Sequence, residues 1–332
     1  MLNKKNIVIV GAGAWGTALS LAMSRTGHCI TLMPQTQEHE HELKTYRENK
    51  TYFPNISLDP QVQITIDAKV FKTADVVLWV IPAQYTYDYL NKIRAYIPLT
   101  VPIVICSKGI DCTQKTVSAE SLLSSIIRKI LPNSLAVLSG PNFAAEIAQN
   151  MPAAATLAAD TLKFAQTLAD ILSQPLFQLV PSEDLIGVQV TGAVKNVLAI
   201  ACGLVIGQKL GQNALAAVIT QGLAEICRLG VAMGGKPDTF SSLAGIGDLM
   251  LTCSSAQSRN TSLGLALAEG QTLTQVLASR TNVTEGLYTA QAIQILAHDY
   301  SVPMPICRAV YNLLYEGESV DHTLKSICQF KT

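Results

Sequence analysis

The sequence predicts an α/β domain with a parallel sheet, followed by an all-helical domain, and three observations carry this prediction. Short β-branched runs alternate with helical segments in the first half. A glycine-rich turn, Gly11 to Gly16, directly follows the first run and opens a helix. After about Asp184 the strand-like runs end, and long Ala- and Leu-rich segments take over. The 332 residues can fill two cores, so we expect a Rossmann domain at residues 1–185 and a helical domain at 186–332.

The predicted strands are short and rich in apolar residues. Val76–Ile81 is apolar throughout, which is typical of a strand covered on both faces. Helices are expected at Trp15–Arg25 and Ala144–Gln149. The candidate strands, in chain order, are Asn6–Val10, Cys29–Met33, Val76–Ile81, Ile103–Cys106, Leu135–Leu138, Ala154–Ala158 and Phe177–Val180.

The second half contains one segment, Ile186–Gly207, that is long enough to cross a membrane. Lys195 and Asn196 lie near its middle, and a central lysine alone costs about 2.5–3.5 kcal/mol on insertion scales. We therefore expect a buried core helix and no membrane span. The candidate helices of this half are Leu185–Leu204, Ala214–Met233, Ser262–Glu269, Tyr288–His298 and Met304–Glu316.

The composition excludes several classes of protein. Lys plus Arg equals Asp plus Glu at 24 each, so no overall field attracts nucleic acid or an anionic membrane. The eight cysteines show no C-x-x-C spacing and mostly lie in apolar segments, as free thiols do in a reducing compartment. The lead before Asn6–Val10 is too short for a signal peptide. We expect a cytoplasmic protein without a structural metal.

The turn Gly11-Ala12-Gly13-Ala14-Trp15-Gly16 has the G-x-G-x-x-G spacing between a strand and a helix, which is the context that gives it meaning. Gly11 permits the tight turn, Gly13 lets a pyrophosphate approach the backbone, and Gly16 allows close packing of helix on strand. The helix amino terminus supplies N–H donors for the anion. The sequence therefore predicts a dinucleotide site here.

The choice between NAD and NADP stays open. An acidic residue at the end of the second strand favours NAD, and an arginine there suits the 2′-phosphate of NADP. This sequence has Met33-Pro34-Gln35, with Glu38 three residues further on.

Lys195 is the strongest candidate for acid–base chemistry, because this lone cation interrupts a long apolar helix beside Asn196. A desolvated lysine shifts its pKa readily and so becomes a usable acid or base. The alternative is a lysine that snorkels from a buried helix. The five histidines lie in turns, a charged segment, a helix end and the tail, so a histidine relay is not expected.

A second polar group follows a glycine loop. If Asp248 begins a helix, then Asp248 and Thr252 lie four residues apart on one face and present a carboxylate and a hydroxyl to the same point. Paired with Lys195, Asp248 would orient the ammonium. An ordinary N-cap aspartate is the equally supported alternative.

Three further segments suit an anionic substrate. Ser258-Arg259-Asn260 precedes an apolar helical run, where guanidinium, hydroxyl and backbone N–H groups can bind a phosphate or simply cap the helix. Ser107-Lys108-Gly109 and Ser139-Gly140-Pro141-Asn142-Phe143 each follow a predicted strand, and ligands of open α/β sheets bind at the carboxyl ends of strands.

Taken together, GAGAWGTAL, SKGI, SGPNFAAEIA, GAVKNVLAIACG, GIGDLMLTC, SRN and TEG closely resemble the bacterial NAD(P)-dependent glycerol-3-phosphate dehydrogenases, over about residues 6–316. The resemblance implies interconversion of dihydroxyacetone phosphate and sn-glycerol 3-phosphate, the latter for phospholipid synthesis. It also implies a second domain like the carboxyl-terminal domain of 6-phosphogluconate dehydrogenase, and a homodimer.

The resemblance also implies roles for individual residues. Lys195 matches the proton donor and acceptor, supported by Asn196, Asp248 and Thr252. The substrate residues would be Lys108, Gly140, Asn142, Lys195, Asp248, Ser258, Arg259 and Asn260. The cofactor residues would be Gly11, Gly13, Ala14, Trp15, Gly16, Lys108, Ala144, Arg259, Val283 and Glu285.

This sequence departs from the family pattern at three places. Ala14 replaces a common serine, which changes little because the backbone N–H is the donor. Asn142 stands where serine or threonine is usual. Met33-Pro34-Gln35 replaces a Trp-Gly-Arg-like segment, and so removes an arginine expected at the 2′-phosphate of NADP.

Two other functions remain open on the residues alone. A related dehydrogenase of 3-hydroxyacids or a ketopantoate-type reductase would share the architecture, but the phosphate-suited Ser258-Arg259-Asn260 group argues for a phosphorylated substrate. A redox-sensing protein would bind the dinucleotide only as a signal, and it would not need Lys195 and Asp248 together.

Overall fold

The computed structural model describes residues 4–111, 117–279 and 284–329. The chain divides into two compact units. The first comprises residues 1–107 and 124–185, and the second comprises residues 108–123 and 186–332. The short segment 108–123 therefore groups with the helical second unit, although strands of the first unit precede and follow it in the sequence.

The first unit is built on a single eight-stranded sheet with the strand order β3-β2-β1-β4-β5-β6-β7-β8. The order reverses direction between β1 and β4, which is the switch point of a doubly wound fold. The strands are β1 Asn6–Val10, β2 Cys29–Met33, β3 Gln63–Ile64, β4 Val76–Trp79, β5 Ile103–Ile105, β6 Leu135–Ser139, β7 Ala153–Ala159 and β8 Phe177–Ser182.

Most of the sheet is parallel, as predicted, but β7 runs antiparallel to β6, with Ala136 opposite Ala159 and Ser139 opposite Thr156. The connection between them contains one helix of five residues, Ala144–Ala148. β7 therefore starts at the edge of the sheet where β6 ends.

Helices of the first unit pack on the sheet because the strands are apolar on both faces. Ile7 and Ile9 of β1 join the core formed with the helix that follows β1. Trp79 of β4 donates its indole N–H to Thr86 on the helix after β4, at 3.0 Å. The helices are α1 Ala14–Ser24, α2 Gln37–Tyr46, α3 Ala83–Ile93, α4 Leu123–Ile130, α5 Ala144–Ala148 and α6 Leu162–Leu172.

The described residues of the second unit form helices without strands, which confirms the predicted fold class. Among the described residues, two helices are long and apolar enough to cross a membrane, and 89% of the apolar window of the first, Leu185–Gly207, is buried, against 44% for Gln212–Ala232. The first is therefore a core helix. The helices are α7 Leu185–Gly207, α8 Gln212–Ala232, α9 Asp248–Cys253, α10 Arg259–Ala268, α11 Leu273–Ala278, α12 Glu285–Asp299, α13 Pro305–Tyr315 and α14 Val320–Ile327.

The core of the second unit is centred on α7, whose residues Val194, Val197 and Leu198 are fully buried. Two glycines let α7 and α10 approach closely. A Cβ on Gly203 would lie 2.1 Å from the carbonyl oxygen of Thr261, and one on Gly264 would lie 2.0 Å from that of Ile200. This crossing fixes the helix that carries Lys195 against the helix that begins at Arg259.

Candidate active site

The glycine turn of the first unit has the backbone that the sequence predicts. Gly11 adopts φ +109°, a conformation that favours glycine. A Cβ on Gly16 would lie 1.8 Å from the carbonyl oxygen of Gly11, whereas one on Gly13 would meet nothing within 4 Å. Gly11 and Gly16 are thus required by the fold itself, while the space over Gly13 is open to a ligand.

The amino terminus of α1 can receive an anion. Its N-cap residue, Gly13, provides no side-chain cap, so the first N–H groups of the helix, from Ala14 onward, lack the partner that a capping side chain would supply. The indole of Trp15 donates to the carbonyl of Cys106, at 3.1 Å, and so lies against the end of β5. An open glycine and an uncapped helix start fit the pyrophosphate of a dinucleotide.

Asn49 supports this turn and was not predicted from the sequence. Its side chain is buried and donates to the carbonyl of Ala12, at 2.9 Å, and to the hydroxyl of Thr17, at 2.8 Å. A lone asparagine in a polar segment carries no pattern that would have indicated this contact.

In the second unit, α7 and α9 bring the predicted acid–base residues together. The ammonium of Lys195 donates to Oδ1 of Asp248 and, over 2.6 Å, to the hydroxyl of Thr252. The side chains of Lys195 and Asp248 are 7% and 1% exposed. Lys195 therefore points into the unit and does not snorkel to solvent.

A second ammonium shares the same carboxylate. Nζ of Lys108 lies 2.7 Å from Oδ2 of Asp248, and its side chain is 20% exposed. The buried Lys195 and Asp248 and the partly exposed Lys108 thus form a group that carries a net positive charge when both lysines are protonated. Such a charge suits an anionic substrate.

The proton affinity of Lys195 is tuned by these surroundings. Burial lowers the pKa of Lys195, Asp248 opposes this effect and the ammonium of Lys108 adds to it, and the resulting pKa is about 8. An amine with a pKa near 8 is mostly protonated at neutral pH yet releases its proton far more easily than a free lysine.

The local backbone explains how Asp248 reaches the lysines. A turn over Leu243–Gly247 directly precedes α9 and is kinked at Gly245, whose backbone angles are not helical, and a Cβ on Gly245 would lie 2.2 Å from the carbonyl oxygen of Phe240. Asp248 is the first residue of α9 and Gly247 is its N-cap. Asp248 therefore lies inside the helix, where its carboxylate accepts from the ammonium groups of Lys108 and Lys195, and the ordinary N-cap interpretation of Asp248 is wrong.

Two asparagines form a second buried link. Nδ2 of Asn260 donates to Oδ1 of Asn196, at 2.9 Å, and Oδ1 of Asn260 accepts from the backbone N–H of Gly286, at 3.0 Å. Asn260 thus fixes the amide of Asn196 beside Lys195, and it ties α10 to the start of α12.

The start of α10 combines capping with charge. Ser258 caps the helix, because its hydroxyl accepts from the backbone N–H of Thr261 at 3.2 Å. Arg259 follows, and its positive charge acts on Glu285 at the start of α12. Desolvation raises the pKa of Glu285 while Arg259, Lys108 and Lys195 lower it, and the resulting pKa is about 7. Glu285 therefore titrates near neutral pH among these cations.

The remaining predicted residues lie in different places. Gly140 follows β6, and a Cβ there would lie 2.8 Å from Cα of Ala155. Both amide atoms of Asn142 are buried without a hydrogen-bond partner. Ala144 begins α5. Val283 lies outside the described residues. Among the described residues, no group of three or more His, Cys, Asp and Glu side chains could hold a metal ion.

A doubly wound sheet with an open glycine turn, and a helical unit with a buried Lys–Asp–Thr group, define the class of pyridine-dinucleotide-dependent oxidoreductases. Comparison with known families makes this assignment specific. Residues 6–165 match the amino-terminal domain of NAD-dependent glycerol-3-phosphate dehydrogenase, and residues 184–325 match its carboxyl-terminal domain. The chain belongs to the NAD-dependent glycerol-3-phosphate dehydrogenase family.

Individual relatives agree with this membership. A glycerol-3-phosphate dehydrogenase [NAD(P)+] of Caulobacter vibrioides is 41% identical over 97% of this chain and 96% of its own length. That of Rhodospirillum rubrum is 43% identical over 97% and 91%, respectively. The crystal structure of glycerol-3-phosphate dehydrogenase from Coxiella burnetii, 34% identical, superimposes with a TM-score of 0.92 and covers 98% of this chain and 99% of its own.

Proposed function

We propose that this enzyme interconverts dihydroxyacetone phosphate and sn-glycerol 3-phosphate with NAD(P)H or NAD(P)⁺, and that Lys195 donates and accepts the proton. Membership of the family supports the reaction. The observation that carries the role of Lys195 is its buried ammonium, held by Asp248 and Thr252 at a pKa of about 8.

The dinucleotide, when bound, supplies or accepts the hydride at C2 of the substrate. In the reductive direction, Nζ of Lys195 donates a proton to the oxygen at C2 as the carbonyl becomes an alcohol. In the oxidative direction, the neutral amine takes that proton back. Asp248 and Thr252 orient Nζ, and Asn196 completes the polar surface beside it. Positioned acid–base catalysis of this kind contributes about 10²–10⁴-fold.

Positive charge supports a phosphorylated substrate. Lys108 and Arg259 supply cations in the second unit, and Arg259 can bind a phosphate with two parallel hydrogen bonds. The hydroxyl oxygen of Ser258 already accepts one hydrogen bond, from the backbone N–H of Thr261, in capping α10. We assign the substrate to Lys108, Gly140, Asn142, Lys195, Asp248, Ser258, Arg259 and Asn260.

The dinucleotide is assigned to the turn after β1. The open space over Gly13 and the uncapped start of α1 would hold its pyrophosphate. Residues 1–185 thus supply most of the residues assigned to the dinucleotide, and residues 186–332 supply the proton chemistry. The full set assigned to the dinucleotide is Gly11, Gly13, Ala14, Trp15, Gly16, Lys108, Ala144, Arg259, Val283 and Glu285.

The cellular setting is part of the same proposal. We place the enzyme in the cytoplasm as a homodimer that supplies glycerol 3-phosphate for phospholipid synthesis. The predominantly buried α7 and the balanced charge of the chain support a protein that neither spans a membrane nor binds nucleic acid.

The test of the function is absorbance of the reduced nicotinamide while purified enzyme is mixed with dihydroxyacetone phosphate, in parallel with NADH and NADPH. Oxidation of either cofactor is expected, and the ratio of rates gives the preference that Met33-Pro34-Gln35 leaves open. Folded protein that binds a dinucleotide but turns over no ketone would instead support the redox-sensing function.

A further inference from the structure

Three polar side chains follow neighbouring strands of the first unit and have buried atoms without a hydrogen-bond partner. They are Oε1 of Gln84, after β4, Oγ of Ser107, after β5, and both amide atoms of Asn142, after β6. Burying a polar atom without a partner costs free energy, so each such atom in a native protein needs an explanation.

The opposite edge of the sheet shows a contrast. Asn133 precedes β6, and its Nδ2 donates to the carbonyl oxygens of Pro98 and Val101, at 2.8 and 2.7 Å. The fold therefore pairs the amide nitrogen of Asn133, although its Oδ1 is buried without a partner, whereas both amide atoms of Asn142 after β6 are unpaired. The carboxyl edge of β4, β5 and β6 is the edge where open α/β sheets bind ligands.

Two contacts connect this edge to the glycine turn. A Cβ on Gly11 would lie 3.1 Å from the carbonyl oxygen of Val80, so the turn packs on the end of β4, four residues before Gln84. Trp15 hydrogen-bonds to the carbonyl of Cys106, the residue before Ser107. Gln84 and Ser107 thus follow backbone that directly supports the turn.

The strand order decides which half of the dinucleotide these residues face. A doubly wound sheet has two mononucleotide-binding halves on either side of the switch point, and the adenosine ribose belongs to the half that contains the end of β2. Here the switch lies between β1 and β4. The half formed by β4, β5 and β6 therefore receives the nicotinamide nucleoside.

We propose that Gln84 and Ser107 bind the nicotinamide nucleoside of the dinucleotide, through its carboxamide and ribose hydroxyls. Amide and hydroxyl groups match that moiety, which offers both donors and acceptors. Asn142, assigned above to the substrate, lies on the next strand along the same edge. The inference rests on the proposed use of NAD(P), and it adds two binding residues to it.

The test measures equilibrium binding by calorimetry, with NADH and ADP as the probes, for Gln84→Met, Ser107→Ala and the double variant. ADP carries the adenosine and pyrophosphate but no nicotinamide nucleoside. We expect each single variant to bind NADH about threefold to tenfold more weakly, as the loss of one hydrogen bond implies, with ADP affinity unchanged. Unchanged affinity for NADH would overturn the proposal.

Thermal unfolding of the ligand-free protein gives a second readout. Because the substitutions remove unpaired buried atoms, the ligand-free variants should unfold at the same or a higher temperature than the parent. Gln61→Leu and Ser134→Ala, at exposed positions of the same unit, are matched controls that should leave NADH affinity unchanged. Weaker NADH binding together with lower stability and weaker ADP binding would mean that the two residues serve the fold, and it would also overturn the proposal.

The outcome separates this inference from the proposed function. A parent protein that binds neither NADH nor ADP would contradict the use of a dinucleotide altogether. A parent that binds both, with variants that bind NADH equally well, would contradict only the roles of Gln84 and Ser107.

Discussion

Lys195 and Thr252 are joined by a hydrogen bond of 2.6 Å from Nζ to Oγ1, although 57 positions separate them in the chain. The backbone carbonyl of Thr252 in turn accepts from the hydroxyl of Thr261 on α10, at 2.7 Å. Three helices, α7, α9 and α10, therefore fix the direction of one ammonium group. Proton transfer depends on that direction, so the packing of these helices bears directly on catalysis.

The crossing of α7 and α10 is the first place to test this dependence. Gly264→Ala would place a Cβ 2.0 Å from the carbonyl oxygen of Ile200 and force the helices apart. We expect the free energy of unfolding to fall by roughly 1–3 kcal/mol, with a lower kcat, measured by urea unfolding and steady-state kinetics. Ser262→Ala, on the same helix, is the control. A Gly264→Ala enzyme with the same free energy of unfolding and the same kcat as the parent would contradict the packing argument.

The pH dependence should differ between the two directions of reaction. Ketone reduction needs protonated Lys195, and alcohol oxidation needs the neutral amine. With a pKa of about 8, kcat/KM for reduction should fall about tenfold per unit above pH 8, while kcat/KM for oxidation should rise as the pH approaches 8 from below and then level off. Initial rates in both directions from pH 6.5 to 9.5 measure this. A flat oxidative profile across pH 8 would count against a lysine base.

Glu285 should control substrate affinity near neutral pH. Its pKa is raised to about 7, so the carboxyl is mostly neutral at pH 6 and mostly ionised at pH 8. Ionisation reduces the net positive charge among Arg259, Lys108 and Lys195, and it should raise KM for dihydroxyacetone phosphate. In Glu285→Gln this part of the pH dependence should disappear. The substrate ionises equally in both assays, so identical KM profiles for variant and parent would refute the effect.

Two substitutions in the glycine turn distinguish an effect on dinucleotide binding from an effect on folding. Gly13→Ala should leave the thermal unfolding temperature of the ligand-free protein nearly unchanged, because a Cβ there meets nothing within 4 Å. It should weaken NADH binding, since the new methyl group occupies the space assigned to the pyrophosphate. Gly16→Ala is the matched comparison, because its Cβ would meet the carbonyl oxygen of Gly11 at 1.8 Å and should destabilise the fold. Equal NADH affinity in Gly13→Ala and the parent would contradict the assignment.

Much of the fold could be predicted because its elements have strong apolar patterns. β1 and β2 match their predicted bounds, and β4 ends at Trp79 where Ile81 was predicted. α2 was missed because it is almost entirely polar and only Leu43 is buried. β3 was missed because two residues carry no periodicity. The reversal of β7 is a property of strand pairing, which strand propensity does not encode.

The site could be predicted where chemistry stands out against an apolar background. Lys195 interrupts a buried helix, and the spacing of Asp248 and Thr252 places them on one face of α9. The bond between Lys108 and Asp248 spans 140 positions, so local pattern gives no indication of it. The roles assigned to these residues stay predictions that kinetics must test.

The most direct test of the central claim is the turnover of Lys195→Met in the reduction of dihydroxyacetone phosphate, with NADH affinity measured on the same preparation. We predict a loss of about 10²–10⁴-fold in kcat with nearly unchanged NADH binding, while Lys325→Met, at an exposed position on α14, keeps full activity. Normal turnover by Lys195→Met would contradict the assignment of Lys195 as the proton donor.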